Sequence, residues 1–124
     1  MPLIKNTRAP HFTIPGVEFI SLAAPSRGSQ ENALWQAVIA PRTTGVVHHM
    51  TREEILLAVS GDGIVRIAGE AHRLTTGDTF AIPAFTDFQL ESATDEPFEA
   101  IVVLPVGGRA VVAGEPSFAP PWSL

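Results

Sequence analysis

The chemistry-bearing residues of this chain concentrate in one short stretch, His48-His49-Met50-Thr51-Arg52-Glu53-Glu54, which holds two imidazoles, a thioether and a carboxylate. Glu54 opens an otherwise apolar run, Ile55 to Val59, so its carboxylate must be paired, protonated or hydrated. An imidazole such as His48 beside such a group can trade a proton with it, the chemistry of an isomerase, epimerase or cyclase. The bland counterpart is a half-buried histidine and a carboxyl held together for stability alone. A second chemistry is metal ligation by His48, His49 and Glu54, with water or substrate completing the shell. Neighbouring residues on a strand face opposite ways, so His48 and His49 serve one ion only if a bulge intervenes. Met50 is a poor ligand for the harder first-row ions and fits a core position or a soft contact for a flat apolar ligand.

The rest of the composition removes many alternatives. The 124 residues contain no cysteine, which excludes disulfides, thiolate zinc sites and cysteine nucleophiles. Lys5, Arg8, Arg27, Arg42, Arg52, Arg66, Arg73 and Arg109 are scattered along a chain of net charge −5, so no nucleic-acid footprint exists. No nucleophile elbow, phosphate loop or zinc-protease motif occurs. The start MPLIKNTRAP lacks an apolar signal region and the apolar runs are too short to span a bilayer, so a cytoplasmic protein without membrane contacts is expected.

These residues must be held by short elements, because eleven Pro and ten Gly punctuate the whole length. Between them lie β-branched and aromatic runs at Val17 to Leu22, Leu34 to Ala40, Val46 to His49, Glu54 to Val59, Ile64 to Ala68, Ala71 to Leu74, Thr79 to Ile82, Phe88 to Glu91, Phe98 to Val103 and Ala110 to Val112. Turn chemistry sits at Gly61-Asp62-Gly63, Gly69-Glu70 and Thr76-Gly77-Asp78. Ser29 to Ala40 has helix-opening residues, but Val38-Ile39 before Pro41 favours a strand. An all-β, antiparallel fold with little helix follows. Both parities of Glu54 to Val59 are apolar after Glu54, which predicts a strand covered on both faces. Phe98 to Val103 reads as an apolar edge that a homodimer would cover.

The segment from Arg42 to Gly61 resembles the first motif of the cupin family, G-x5-H-x-H-x3-4-E-x6-G. His48 matches its first histidine, Glu54 its glutamate and Gly61 its closing glycine, while Met50 replaces the second histidine and Arg42 the opening glycine. Gly77-Asp78-Thr79-Phe80-Ala81-Ile82-Pro83 is similar to the start of the second motif, G-x5-P-x-G-x2-H-x3-N. Beyond it Phe85, Phe88 and Ser92 replace the glycine, histidine and asparagine. The resemblance implies a double-stranded β-helix, or jelly-roll barrel, usually dimeric, whose pocket in most members holds a divalent metal through three histidines and a glutamate. It implies one domain, with an N-terminal arm over 1–33, a barrel core over 34–105 and a C-terminal extension over 106–124.

Two of the four metal-binding positions survive, whereas a catalytic zinc-type site wants three protein ligands and an open position. The expectation is therefore a small-molecule-binding barrel without a tightly bound cofactor. Its pocket is largely apolar, with His48 and Glu54 as the polar end and within hydrogen-bond reach of each other, and Met50, Phe88 and Gln36 as further ligand contacts. Iron, manganese, nickel or zinc on His48, His49 and Glu54, in a dioxygenase-type oxidoreductase, is the alternative; a metal-independent isomerase or cyclase is another, and a dimer without turnover a third. Trp35 and Trp122 suit ring stacking, or core and dimer packing respectively.

Overall fold

The computed structural model describes all 124 residues and contains eleven strands: β1 His11–Ile14, β2 Val17–Ala23, β3 Asn32–Ile39, β4 His49–Met50, β5 Glu54–Ser60, β6 Gly63–Ile67, β7 Glu70–Leu74, β8 Thr79–Ile82, β9 Phe88–Ser92, β10 Phe98–Pro105 and β11 Ala110–Val111. The only helical elements are two 3-10 turns, Pro25–Arg27 and Pro121–Ser123. No helix is long and apolar enough to cross a membrane. All strand pairs are antiparallel, in a six-stranded sheet of order β1-β2-β3-β10-β5-β8, a three-stranded sheet β7-β6-β9 and the short pair β11-β4. This is the expected antiparallel jelly-roll barrel.

Register decides which side chains share a face. Trp35, Val102 and Leu56 lie in one row across β3, β10 and β5, and their neighbours Gln36, Ile101 and Leu57 form the adjacent row. Because alternate strand residues point to opposite faces, the first row enters the core and the second faces outward. Burial follows: Trp35, Leu56 and Val102 are buried, with Phe98, Val65, Phe88, Leu104 and Ile82 in the same core cluster. Strand β6 alternates in the same way, with Val65 and Ile67 inside and Arg66 in solvent, as its sequence predicts.

Two expectations need correction. β5 is covered on one face only, since Ile55 and Leu57 are 42% and 38% exposed. Its outward apolar residues have no second layer of this chain above them. Nor is β10 an edge: it lies between β3 and β5, because its eight residues pair with both neighbours. The stretch His11–Ile14, flanked by Pro10 and Pro15, adds an unanticipated edge strand that pairs with β2 alone.

The glycines of the hairpin between β5 and β6 show why this turn admits little else. Gly61 has φ +77° and a Cβ there would lie 2.1 Å from the Pro97 carbonyl oxygen, while a Cβ on Gly63 would strike the Phe98 ring at 2.5 Å. The turn is thus pressed against β10, and only glycine fits both the conformation and the approach. The two positions where the cupin motifs call for glycine and this chain has another residue keep the glycine conformation: Arg42 at φ 50° and Phe85 at φ 57°. Side chains in that region cost on the order of 1–2 kcal/mol each. The Arg42 guanidinium pairs with Asp95 at the surface, whereas Phe85 is 70% exposed.

Candidate functional site

A cavity of about 270 Å³ opens on the inner face of the six-stranded sheet. One wall is the sheet itself, through Val17, Phe19, Trp35, Ala37, Ile39 and Val102. The opposite wall comes from Val46, His48 and Met50 around β4 and from Leu90 on β9. The third is built by the chain after β11, where Val112, Phe118, Pro120 and Trp122 fold back over the opening. Alanine 110 and Phe118 exchange backbone hydrogen bonds, and the Arg109 guanidinium donates to Ser117, which pins this return. Trp122 then stacks on Phe19 with ring centres 3.7 Å apart and planes 4° from parallel, and meets Trp35 edge-on at 6.3 Å. The tail aromatic expected at a dimer contact therefore packs within its own chain.

Glu54 enters this cavity from the first position of β5, opposite Ile82 on β8. It is 5% exposed, and neither a hydrogen-bond donor nor a cation offsets its burial. Desolvation alone pushes its pKa up to about 8, so at neutral pH it is a carboxylic acid with an O–H to donate. His48 lies on the other wall. Its backbone bridges Phe88 on β9, its Nδ1–H donates to the Val46 carbonyl at 2.9 Å, and its ring packs on Phe88 at 4.4 Å. Burial lowers its pKa, more strongly than the Val46 bond raises it. The proton fixed on Nδ1 leaves Nε2 as an acceptor. No hydrogen bond or ion pair joins His48 to Glu54, contrary to the expected direct contact. Both reach the same cavity from different walls, and the space between them is open to a ligand.

Of the other residues singled out by sequence as ligand or metal contacts, Met50 lines the cavity and Gln36, Phe88 and His49 do not. Gln36 sits in the outward row of β3 and donates through Nε2 to Glu99 at 3.3 Å, because the inward positions beside it belong to Trp35 and Ala37. Phe88 does point inward, at the position of the replaced histidine, but it is fully buried in the core behind His48 rather than in the cavity wall. His49 turns away from the cavity, as strand alternation demands, and its Nδ1–H donates to Asp87 at 3.0 Å. The trio His48, His49 and Glu54 therefore does not converge. No three His, Cys, Asp or Glu side chains come together anywhere in the chain. With Met50 and Phe88 at two ligand positions and His49 facing outward, the residues present do not fit the metal that the fold family implies. Sequence reasoning missed Leu90, Val112, Phe118 and Pro120, whose places in the wall depend on long-range folding that no local spacing encodes.

The family model described as Cupin domain matches residues 35–104. Among solved structures, the chain is similar to the polyketide cyclase RemF from Streptomyces resistomycificus, at 14% identity and TM-score 0.78, covering 98% of this chain and 88% of that one. It is also similar to salicylate 1,2-dioxygenase from Pseudoaminobacter salicylatoxidans, described in complex with gentisate, at 19% identity and TM-score 0.72. That match covers 86% of this chain but 31% of the dioxygenase. KdgF from Halomonas sp. matches at 20% identity and TM-score 0.71, over 84% of this chain and 94% of that one. No curated protein matches. The paired motifs, the antiparallel barrel with its inner cavity and the family match over more than half of its length agree: this chain belongs to the cupin family.

Proposed function

We propose that this barrel binds a small, largely apolar molecule in its cavity without a resident metal, using Glu54 and His48 as the polar contacts on opposite walls. The observation that carries this reading is the state of Glu54. A buried carboxyl without any partner is a standing cost to the fold, and its retention in an otherwise apolar cavity is accounted for when a ligand supplies the missing hydrogen bond. Removing Glu54 separates this from a structural role. Glu54→Leu is expected to leave the fold intact or more stable while weakening a bound naphthalene-type probe about tenfold, as befits one lost hydrogen bond. Binding should also survive treatment of the full chain with EDTA. A stoichiometric first-row metal, lost on His48→Ala or Glu54→Ala, would overturn the metal-free reading.

A second reading, metal-independent proton transfer of the isomerase or cyclase kind, is favoured by one feature. A protonated carboxyl and an unprotonated imidazole face one cavity without touching, so each is free to act on a ligand between them. In that case Glu54→Gln retains binding and abolishes turnover. We further propose a homodimer formed through the outer face of the six-stranded sheet, supported by exposed Ile55 and Leu57 beside Val103 and Ile101.

A further inference from the structure

The charge inventory of the cavity narrows the class of ligand. Of the 19 lining residues 14 are hydrophobic, and none is Lys or Arg. The nearest basic residue in sequence, Arg109, has its guanidinium engaged by Ser117 outside the wall. His48 already donates its Nδ1 proton to Val46. The remaining titratable groups in the wall are Glu54 inside and Glu115, exposed on the returning chain. Any charge the wall carries at neutral pH is therefore negative.

We propose that the cavity selects against anions: it accepts an uncharged, flat molecule of about two fused rings bearing a carbonyl or hydroxyl oxygen, and rejects the same ring system carrying a carboxylate. This rests on the binding reading above and adds the ligand's charge, size and shape. The size follows from volume, since a cavity of ~150 Å³ is enough for benzene and this one has about 270 Å³. Flatness follows from the aromatic walls, where Trp35, Trp122 and Phe118 favour stacked or edge-on rings over branched ones. Rejection of anions follows from desolvation: a carboxylate taken from water into this wall meets no cation to replace its hydration. The lowered His48 pKa agrees, because it keeps the imidazole uncharged at neutral pH.

The probes are 2-naphthol, 2-acetonaphthone and 2-naphthoate, titrated calorimetrically into the full chain at pH 7. The two neutral probes are expected to bind, and 2-naphthoate at least tenfold more weakly. Val46→Arg, which sets a cation in the exposed part of the wall, is expected to raise 2-naphthoate affinity at least tenfold relative to that of 2-naphthol. Naphthoate binding as tight as naphthol to the unmodified chain would overturn the charge selection while leaving the binding reading in place. Failure of Val46→Arg to raise naphthoate affinity relative to that of naphthol would overturn charge as the cause. If neither neutral probe binds, the binding reading falls and this inference falls with it.

Discussion

The two faces of β5 are both apolar and have opposite surroundings. On β5 the inward side chains of Leu56 and Ala58 are buried, while the outward Ile55 and Leu57 stay exposed. Inside, apolar residues meet a second wall, and the gap left between the walls contains the only buried acidic side chain, Glu54. Outside, the face carries apolar side chains with no wall above them and no buried polar group. Apolar area alone therefore does not distinguish the proposed ligand site from the proposed association surface; curvature and a desolvated polar group do.

The largest expected effect compares neighbours on one strand. Leu56→Ala removes a fully buried side chain and should cost about 3–5 kcal/mol; Leu57→Ala, one residue away, should cost less than about 1 kcal/mol in the monomer. Urea unfolding of the two variants reads the difference, and equal losses would erase the distinction between the faces.

Next comes the ionisation of Glu54. Its folded pKa of about 8 lies above the ordinary value of 4.5, so the folded chain holds a proton that the unfolded chain has released. The stability tied to this group is complete below pH 4.5 and is lost as the pH rises toward 8. Glu54→Gln lacks this loss. Its stability advantage over the parent chain should grow by on the order of 2–4 kcal/mol between pH 5 and pH 9. His48 acts with the opposite sign. Its lowered pKa gives stability that is present above 6.5 and lost on acidification, which His48→Gln would abolish.

On the outer face, Ile55→Lys with Leu57→Lys should halve the mass measured by light scattering without altering 2-naphthol binding. A parent chain that runs as a monomer at micromolar concentration would remove the association role. The smallest effect again contrasts neighbours: Trp35→Ala should weaken 2-naphthol about tenfold, whereas Gln36→Ala should change its affinity less than twofold.

The strand pattern was readable because short β-branched runs between Gly and Pro leave little else to form, and all ten runs lie on or beside observed strands. What escaped was pairing. Phe98 to Val103 looks like an edge in sequence, yet it is central, because its partners come from residues far away in the chain. The same holds for the cavity. His48, Met50 and Glu54 were legible as a spaced motif, but the rest of the wall is assembled by the return of the chain after β11. Gln36 failed for a local reason, since strand parity sends it outward beside the inward Trp35. Arg42 and Phe85 teach the reverse lesson: both stand where the family motifs carry glycine, and both adopt the positive φ that glycine ordinarily supplies.

The placement of Trp122 against Phe19 and Trp35 has an optical consequence. The chain has two tryptophans and no tyrosine, and both tryptophans line the cavity. Nearly all of its absorbance and emission near 280–350 nm therefore arises within one cluster, with the indoles edge-on at 6.3 Å. The molecule holds a built-in, label-free chromophore pair, and a spectral change on adding a compound reports on this wall and on no other part of the barrel.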